Sequence, residues 1–213
     1  YTISNGTLNV SGDVVNGAGT GTLNIDGGTV NAGTIGVDNL NIANSAGTNG
    51  SHTLGSGESI STGNETIGNS GTGTFTQTGG TNTVSNDLNI GNNSGSSGTY
   101  NLSAGTNTVS NSLVLGFSSG SNGTFNLSGT GNLDSSYVFV GREDTGIFTQ
   151  TGGTHSVSND LNIGINSGSS GTYNLSGGTN SVSNNLNIGI NSGSSGTYNL
   201  SGGTNTVSNS LVL

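Results

Sequence analysis

A repeat of about 25 residues is the feature that most constrains how this chain can fold. The unit opens with Gly-Thr-Tyr or Gly-Thr-Phe, once Gly-Ile-Phe, and recurs at offsets of 25, 25, 23, 25 and 25 residues. Its best-formed copy, residues 171–195, reads GTYNLSGGTNSVSNNLNIGINSGSS. The openings are Gly73, Gly98, Gly123, Gly146, Gly171 and Gly196. A unit this short cannot bury its own apolar side chains, so the repeat predicts a stack in which neighbouring units cover one another.

Apolar and polar residues alternate within each unit. Tyr173 and Leu175 are separated by one Asn, as are Leu186 and Ile188, while Val182 stands between two serines. Alternation with a period of two is typical of β-strands, and the Gly-Gly and Asn-Ser-Gly-Ser-Ser tracts between the alternating segments predict turns. We therefore expect an all-β fold, a parallel β-helix (β-solenoid) with about 25 residues and three short strands per coil. A right-handed coil is expected, because parallel strands are joined by right-handed crossovers.

The repeat also predicts the domain organisation. Residues 1–213 form a single β-solenoid domain of about eight to nine coils, with irregular coils over residues 1–72 and regular coils of 23–25 residues over 73–213. Stacked coils would lie about 4.8 Å apart, the spacing of neighbouring strands, which predicts a rod of about 40 Å.

Stacking places the same residue of successive coils in one column, which we call a ladder. Aromatic and branched side chains suit such a buried, pleated surface. The predicted core ladders are an aromatic ladder (Phe75, Tyr100, Phe125, Phe148, Tyr173, Tyr198), a leucine ladder (Leu88, Leu113, Val138, Leu161, Leu186, Leu211) and an isoleucine ladder (Ile90, Leu115, Val140, Ile163, Ile188, Leu213).

Asparagine recurs at the tenth position of the unit, with the same parity as the buried valine. We expect an inward or corner ladder whose amides bond along the stack, as in cross-β assemblies. Its members are Asn82, Asn107, Asn132, Asn180 and Asn205, and His155 is a substituted rung. Gln77 and Gln150 replace the leucine of the aromatic strand in two coils.

Charge and composition exclude several functions. The net charge is −9, and Arg142 is the single basic residue. This composition disfavours nucleic-acid binding, which needs several lysines and arginines to neutralise phosphates. Anionic membrane surfaces are disfavoured for the same reason, and no apolar run approaches the ~20 residues of a membrane-spanning helix. The chain has no cysteine, hence no disulfide framework and no thiolate metal site.

The pattern GT[FY]xLSGGTxxVSNxLxIG resembles the repeats in the passenger regions of bacterial type V secreted proteins (autotransporters) and in some exosortase-sorted surface proteins. Residues 73–213 match it well and residues 1–72 match it loosely. The resemblance implies a secreted, β-helical protein with a role in adhesion or the extracellular matrix, on the bacterial surface or in the matrix. It carries over no catalytic residue.

The few chemically active side chains do not form a site by sequence. Glu143 and Asp144 adjoin Arg142 in the turn of a shortened coil, which predicts a solvated loop with a local ion pair. A calcium-binding roll is disfavoured, because the Gly-Gly turns lack the required Asp. His52 and His155 share no spacing. We expect no enzymatic activity, no cofactor and no metal; convergence of Asp134, Glu143 and Asp160 over a cleft would reopen a polysaccharide-cleaving activity.

An outward Thr-x-Thr column is the second open alternative. It runs through Thr81-Asn82-Thr83, Thr106-Asn107-Thr108 and Thr204-Asn205-Thr206, breaks at Gly131-Asn132-Leu133, and changes to serine at Ser156 and Ser181. Flat threonine arrays are the surface of ice-binding solenoids, so ice binding is an alternative function.

Both ends of the chain lie inside strand patterns. A partial coil at Leu211 and Leu213 and another at Tyr1 and Ile3 together amount to one coil, so the chain is either a fragment of a longer solenoid or a subunit whose copies complete each other's coils. We expect an extracellular structural rod that assembles head to tail into a filament. The alternative is a monomeric adhesin stalk that binds a host or polysaccharide surface.

Overall fold

The computed structural model describes all 213 residues, from Tyr1 to Leu213, and contains strands but no helix. Parallel strands stack into a β-solenoid of about eight turns, with paired residues about 25 apart along the chain. The predicted fold class is thereby confirmed. Eighteen strands belong to one continuous sheet, and the other two pair with each other.

The strands differ widely in length, from 2 to 19 residues. In chain order they are β1 Thr2–Ile3, β2 Thr7–Asn9, β3 Asp13–Val15, β4 Thr22–Ile25, β5 Thr29–Asn31, β6 Thr34–Ile42, β7 Asn49–Leu54, β8 Ser59–Ile67, β9 Thr72–Val84, β10 Leu88–Ile90, β11 Ser97–Leu115, β12 Asn122–Leu127, β13 Asn132–Val140, β14 Thr145–Val157, β15 Leu161–Ile163, β16 Ser170–Val182, β17 Leu186–Ile188, β18 Ser195–Leu200, β19 Thr204–Val207 and β20 Leu211–Val212.

The corners between strands differ from the expected turns. In the coils of β9, β11, β14 and β16, the first two predicted strands are one continuous strand that bends at its Gly-Gly or Ala-Gly pair. The second glycine of the bend has a left-handed backbone, as at Gly178 (φ 80°), and the register slips there by a residue. Glycine tolerates this conformation, so the chain turns the corner while its neighbours keep pairing.

The three predicted ladders are in register and occupy the interior up to the last coil, where Tyr198 is half-buried and Leu211 and Leu213 are exposed. Phe75, Tyr100, Phe125, Phe148 and Tyr173 are fully buried, with neighbouring ring centroids 4.5–5.0 Å apart and ring planes within 18° of parallel. The leucine and isoleucine ladders pair residue by residue from β10 to β17. Identical contacts repeated from coil to coil explain how a chain with only 27% hydrophobic residues encloses a continuous core.

Regular stacking begins earlier than the sequence motif. The step between paired residues is 22 from Ile3 to Ile25 and 17 from Ile25 to Ile42, but already 25 from Ile42 to Ile67. The start of the motif at residue 73 thus marks a change in amino-acid usage rather than in coil length. The isoleucine ladder runs upstream without interruption to Ile3.

The predicted assembly ends are not all exposed. Tyr1, Leu211 and Leu213 are 77%, 58% and 86% exposed, whereas Ile3 is buried. Ile3 pairs with Ile25, and its Cγ2 lies where a side chain on Gly28 would stand, so the chain folds over it before the second coil.

Candidate functional site

Two glutamines inside the core bond the hydroxyls of the aromatic ladder. Tyr100 donates its hydroxyl hydrogen to Gln77 Oε1 at 2.6 Å, and Tyr173 donates to Gln150 Oε1 at 2.7 Å. The Nε2 of Gln77 donates to Thr106 O at 2.9 Å, and Gln150, three coils further along the stack, donates in the same way to Thr179 O at 2.9 Å. The two glutamines thus satisfy a buried polar group of the next coil, which explains why they replace leucine.

Glu65 lies in the leucine ladder, between Leu40 and Leu88, and is fully buried. Its Oε2 accepts a hydrogen bond from Asn82 Nδ2 at 2.8 Å, and its Oε1 has no partner. Burial raises the pKa of Glu65 to about 7, because the charged carboxylate loses its water. Asn82 also donates to Tyr100 OH at 3.1 Å, so the carboxyl belongs to the same buried network as Gln77.

Both histidines belong to the core as well. His52 is the first rung of the aromatic ladder, in register with Phe75 at 5.5 Å between centroids, and His155 stacks on Phe148 at 4.9 Å. Because Tyr173 gives its hydrogen to Gln150, its oxygen accepts from His155 Nδ1 at 3.0 Å. Burial lowers the pKa of His52 to about 4 and that of His155 to about 3, so both rings are neutral.

The predicted inward asparagine ladder is only partly present. Asn82, Asn107 and Asn180 are buried, but only Asn180 bonds along the ladder, to Asn205 at 2.8 Å, and the amide of Asn107 has no partner. Asn132 does not belong to it, since Leu133 pairs with Asn107. Amides of equivalent asparagines do bond between adjacent coils at other positions, at 2.7–2.9 Å. These pairs are Asn24–Asn41, Asn44–Asn69, Asn101–Asn126, Asn162–Asn187 and Asn174–Asn199.

The threonine column borders a groove. In register, Thr106 and Thr108 pair with Asn132 and Asp134, one residue later than the predicted break. The groove has a volume of about 320 Å³, and its lining is nearly all hydroxyl-bearing. It is lined by Thr108, Val109, Ser110, Asp134, Ser135, Ser136, Ser156, Ser158, Ser181 and Ser183.

The three carboxylates that would signal an enzyme each hold a different part of the surface. Asp134 accepts from Asn132 Nδ2 at 2.9 Å, Glu143 from Asn166 Nδ2 at 2.6 Å, and Asp160 from the backbone of Asn185 at 3.0 Å. No group of three or more acidic, histidine or cysteine side chains is placed to hold a metal ion.

A cluster of aromatic residues surrounds the only arginine. The guanidinium carbon of Arg142 lies 4.7 Å from the centre of the Phe117 ring and 5.7 Å from that of Phe139. Tyr137, which is 36% exposed, shares the outward face of β13 with Phe139. We call Phe117, Tyr137, Phe139 and Arg142 the arginine–aromatic patch.

Arg142 does not form the predicted local ion pair. Its sequence neighbour Glu143 is engaged by Asn166, and Asp144 accepts from Gly120 N–H at 2.8 Å and from Thr145 at 3.0 Å. These hydrogen bonds hold the pKa of Asp144 below its usual value. The sequence signal for the patch was available: four aromatic residues lie outside the aromatic ladder, and three of them belong to the patch.

Comparison of the chain with protein-family models, with curated proteins and with solved structures finds no match. None of the elements is a helix of the length and apolarity needed to cross a membrane. The geometry of the chain itself therefore carries the functional argument.

Proposed function

We propose that this chain is an extracellular structural rod, on the bacterial surface or in the extracellular matrix, whose copies join end to end into a filament. The observation that carries the proposal is the repetition of ladders in register from coil to coil. The upper edge of one coil therefore matches the lower edge of another in both backbone pairing and side chains. A second copy would present to the last coil its own first coil, in which Ile3 continues the isoleucine ladder.

The two edges of the chain have the apolar character that such a contact needs. The last coil exposes Leu200, Leu211 and Leu213. At the opposite edge, Leu8, Val14 and Val15 line a groove of about 600 Å³. Burying a few hundred Å² of these surfaces at ~25 cal/mol per Å² contributes several kcal/mol before association costs. Because the contact joins two different edges, it repeats without closing and produces a filament.

The placement of the polar residues supports a structural role without catalysis. Charged residues are few, and the carboxylates of Asp134, Glu143 and Asp160 accept hydrogen bonds from asparagine side chains or from the backbone. The outer face consists largely of asparagine, serine and threonine, and the asparagine side-chain amides form hydrogen bonds between adjacent coils. The resemblance of the repeat to surface and passenger proteins supports the location outside the cell.

Sedimentation velocity of the 213-residue chain over a range of concentrations tests the proposal. We expect a series of elongated oligomers that grows with concentration. Leu211→Asp with Leu213→Asp should leave the monomer, because it places charge on the apolar edge. Ile147→Asp is the matched control: Ile147 is 38% exposed on the side of the rod, and this variant should assemble normally. A monomer at all concentrations would overturn the filament.

The arginine–aromatic patch favours a second candidate, a monomeric stalk that binds a surface through its side. The same sedimentation experiment separates the two, since a stalk stays monomeric in both variants. The threonine column gives weaker support to ice binding, because Asn132 and Asp134 interrupt it and a groove replaces the flat face that an ice lattice requires.

A further inference from the structure

The internal repeat allows each coil to be compared with its neighbours, and one coil departs from them on its outer face. The coil of residues 123–145 is shortened to 23 residues, and it contains every charged residue between Asp87 and Asp160. Where it carries Tyr137, the preceding coil carries Ser112. Where it carries Phe139, the following coil carries Asn162. The interior ladders continue through this coil, with Val138 and Val140 at the leucine and isoleucine positions, and the departures that add aromatic rings lie on its outer face.

Tyr137 and Phe139 form an outward aromatic surface, which we call the platform and which suits an apolar, planar face of a ligand. Tyr137 and Phe139 alternate along β13 with the buried Val138 and Val140, so both rings face outward from the same strand. Aromatic rings supply large apolar contact faces, and tyrosine and arginine are enriched among the residues that dominate the energetics of binding surfaces. The rest of the outer face offers mainly amides and hydroxyls.

The platform has one unpaired cation. The guanidinium of Arg142 is held against two rings, and the carboxylates next to it in sequence are bonded to other groups. Contact with the two rings restrains the guanidinium and leaves its N–H donors for a carboxylate, which a guanidinium can bind with two parallel hydrogen bonds. In a chain with net charge −9, this is the one position that selects a negative ligand group.

The platform continues into the hydroxyl-lined groove. Ser136 lines the groove and is followed directly by Tyr137. A ligand that lies along β13 from the groove would meet serine and threonine hydroxyls and the Asp134 carboxylate, then two aromatic rings, then a guanidinium. Sugar hydroxyls, the apolar face of a pyranose ring and a ring carboxylate match these three features in turn, whereas an acidic peptide offers no row of hydroxyls to the groove.

We propose that the arginine–aromatic patch and the adjoining groove bind a polysaccharide whose pyranose rings carry carboxylates. This inference rests on the proposed extracellular rod and gives that rod a ligand. One site is small and contains a single cation, so each contact is weak. In a filament the site recurs once per subunit along one polymer, and the repeated weak contacts add up to firm attachment.

Affinity electrophoresis of the 213-residue chain in gels with polygalacturonate, or with uncharged dextran of similar length, tests the site. We expect polygalacturonate to retard the protein and dextran not to. Arg142→Asn introduces the residue that an earlier coil carries at the equivalent position, Asn92. It should raise the apparent dissociation constant about tenfold, the effect of one lost charge-assisted contact. Tyr137→Ser with Phe139→Asn should abolish retardation.

The variants are chosen so that loss of folding cannot imitate loss of binding. Each variant introduces a residue that another coil already carries at the same position. Phe139→Val is a second way to remove the ring, because Val114 occupies the paired position in the preceding coil. Ile147→Thr is the matched control, because its partners Thr124 and Thr172 show that threonine fits there. It should bind polygalacturonate as the unaltered chain does.

Three outcomes would overturn the inference: no retardation of the unaltered chain, equal retardation by dextran, or full retention of binding by Arg142→Asn. None of them affects sedimentation, so the structural rod would stand without this ligand. Conversely, a monomeric chain that still binds polygalacturonate through these residues would retain the site and lose the filament.

Discussion

At the scale of single residues, polarity inside the solenoid is matched between neighbouring coils. Tyr100 and Tyr173 each follow a coil with glutamine at the facing position, whereas Phe125 follows a coil with Leu102 there. Among the fully buried rings, hydroxyl and amide therefore occur together, and phenyl and leucine occur together. Tyr198, which follows a coil with Leu175, is only half-buried, and its hydroxyl accepts from Asn180. An unmatched pair would leave a buried hydroxyl without an acceptor, which is costly in a core this thin.

The matching predicts a strong coupling between Gln77 and Tyr100. Gln77→Leu alone should destabilise the fold by about 1–3 kcal/mol, because the Tyr100 hydroxyl loses its acceptor. Adding Tyr100→Phe should restore most of that loss, since the pair then copies Phe125 above Leu102. Urea unfolding of both single variants and the double variant measures the coupling. Purely additive losses would show that the hydrogen bond does not explain the glutamine.

Glu65 should make the fold less stable as pH rises from about 4.5 to about 7. In this window the unfolded chain has lost the proton, while the folded chain keeps it until its raised pKa of about 7. The folded state thus binds more protons, and the free energy of unfolding falls with rising pH. A shift of this size corresponds to about 3 kcal/mol.

The comparison of Glu65→Gln with the unaltered chain isolates this effect from the buried histidines. The variant keeps the shape and cannot ionise, so its stability advantage should grow between pH 5 and pH 8 in urea unfolding. Tyr100, the other titratable group of the network, ionises far above this range, because burial raises its pKa. A pH-independent difference between the two proteins would mean that water or a rearranged core solvates the carboxylate.

At the scale of the structural element, the bends decide how continuous strands form corners. Gly105 has φ 85°, and a β-carbon there would lie 2.5 Å from the carbonyl oxygen of Gly79. Gly95 has a similar φ of 78° but open space around it, and Gly33 has open space and an ordinary backbone. Gly33 therefore has neither effect, Gly95 has backbone strain alone, and Gly105 has backbone strain together with a steric clash.

Alanine at the three positions should destabilise in a fixed order. Gly33→Ala should be nearly neutral, Gly95→Ala should cost about 1–2 kcal/mol for the left-handed backbone, and Gly105→Ala should cost more, because the clash adds to the strain. Thermal or urea unfolding of the three variants gives the order directly. Equal losses at positions 95 and 105 would show that the bend relaxes around the new methyl group.

The repeat alone predicted the ladders, because in-register stacking of a 25-residue unit permits only one alignment of Phe75, Tyr100 and Phe125. It misplaced Asn132, since the bend glycines allow the register to slip by one residue within a coil. Glu65 escaped notice because its coil precedes the motif, where no repeated letter marks the leucine position. The arginine–aromatic patch was missed because its residues interrupt the repeat, and a repeat reveals only what recurs.

At the scale of the whole molecule, the chain is a stack of coils whose length depends on the number of coils. Each coil contributes the same backbone pairing and the same side-chain contacts, so nothing in the stack favours a particular number of turns. A stack of aromatic rings lies in the interior, asparagine amides bond neighbouring coils, and the last coil exposes leucine. Under the proposed function, a second copy would add to this end without a change of fold.

Electron microscopy of the assembled 213-residue chain, with the diffraction pattern computed from the filament images, tests this central claim most directly. We predict unbranched filaments with an axial layer spacing of about 4.8 Å, the separation of paired strands. A weaker axial repeat of about 40 Å should mark the subunit, given about eight turns at that spacing. Discrete rods of a single subunit at high concentration, or filaments whose strands run along the axis, would contradict the account.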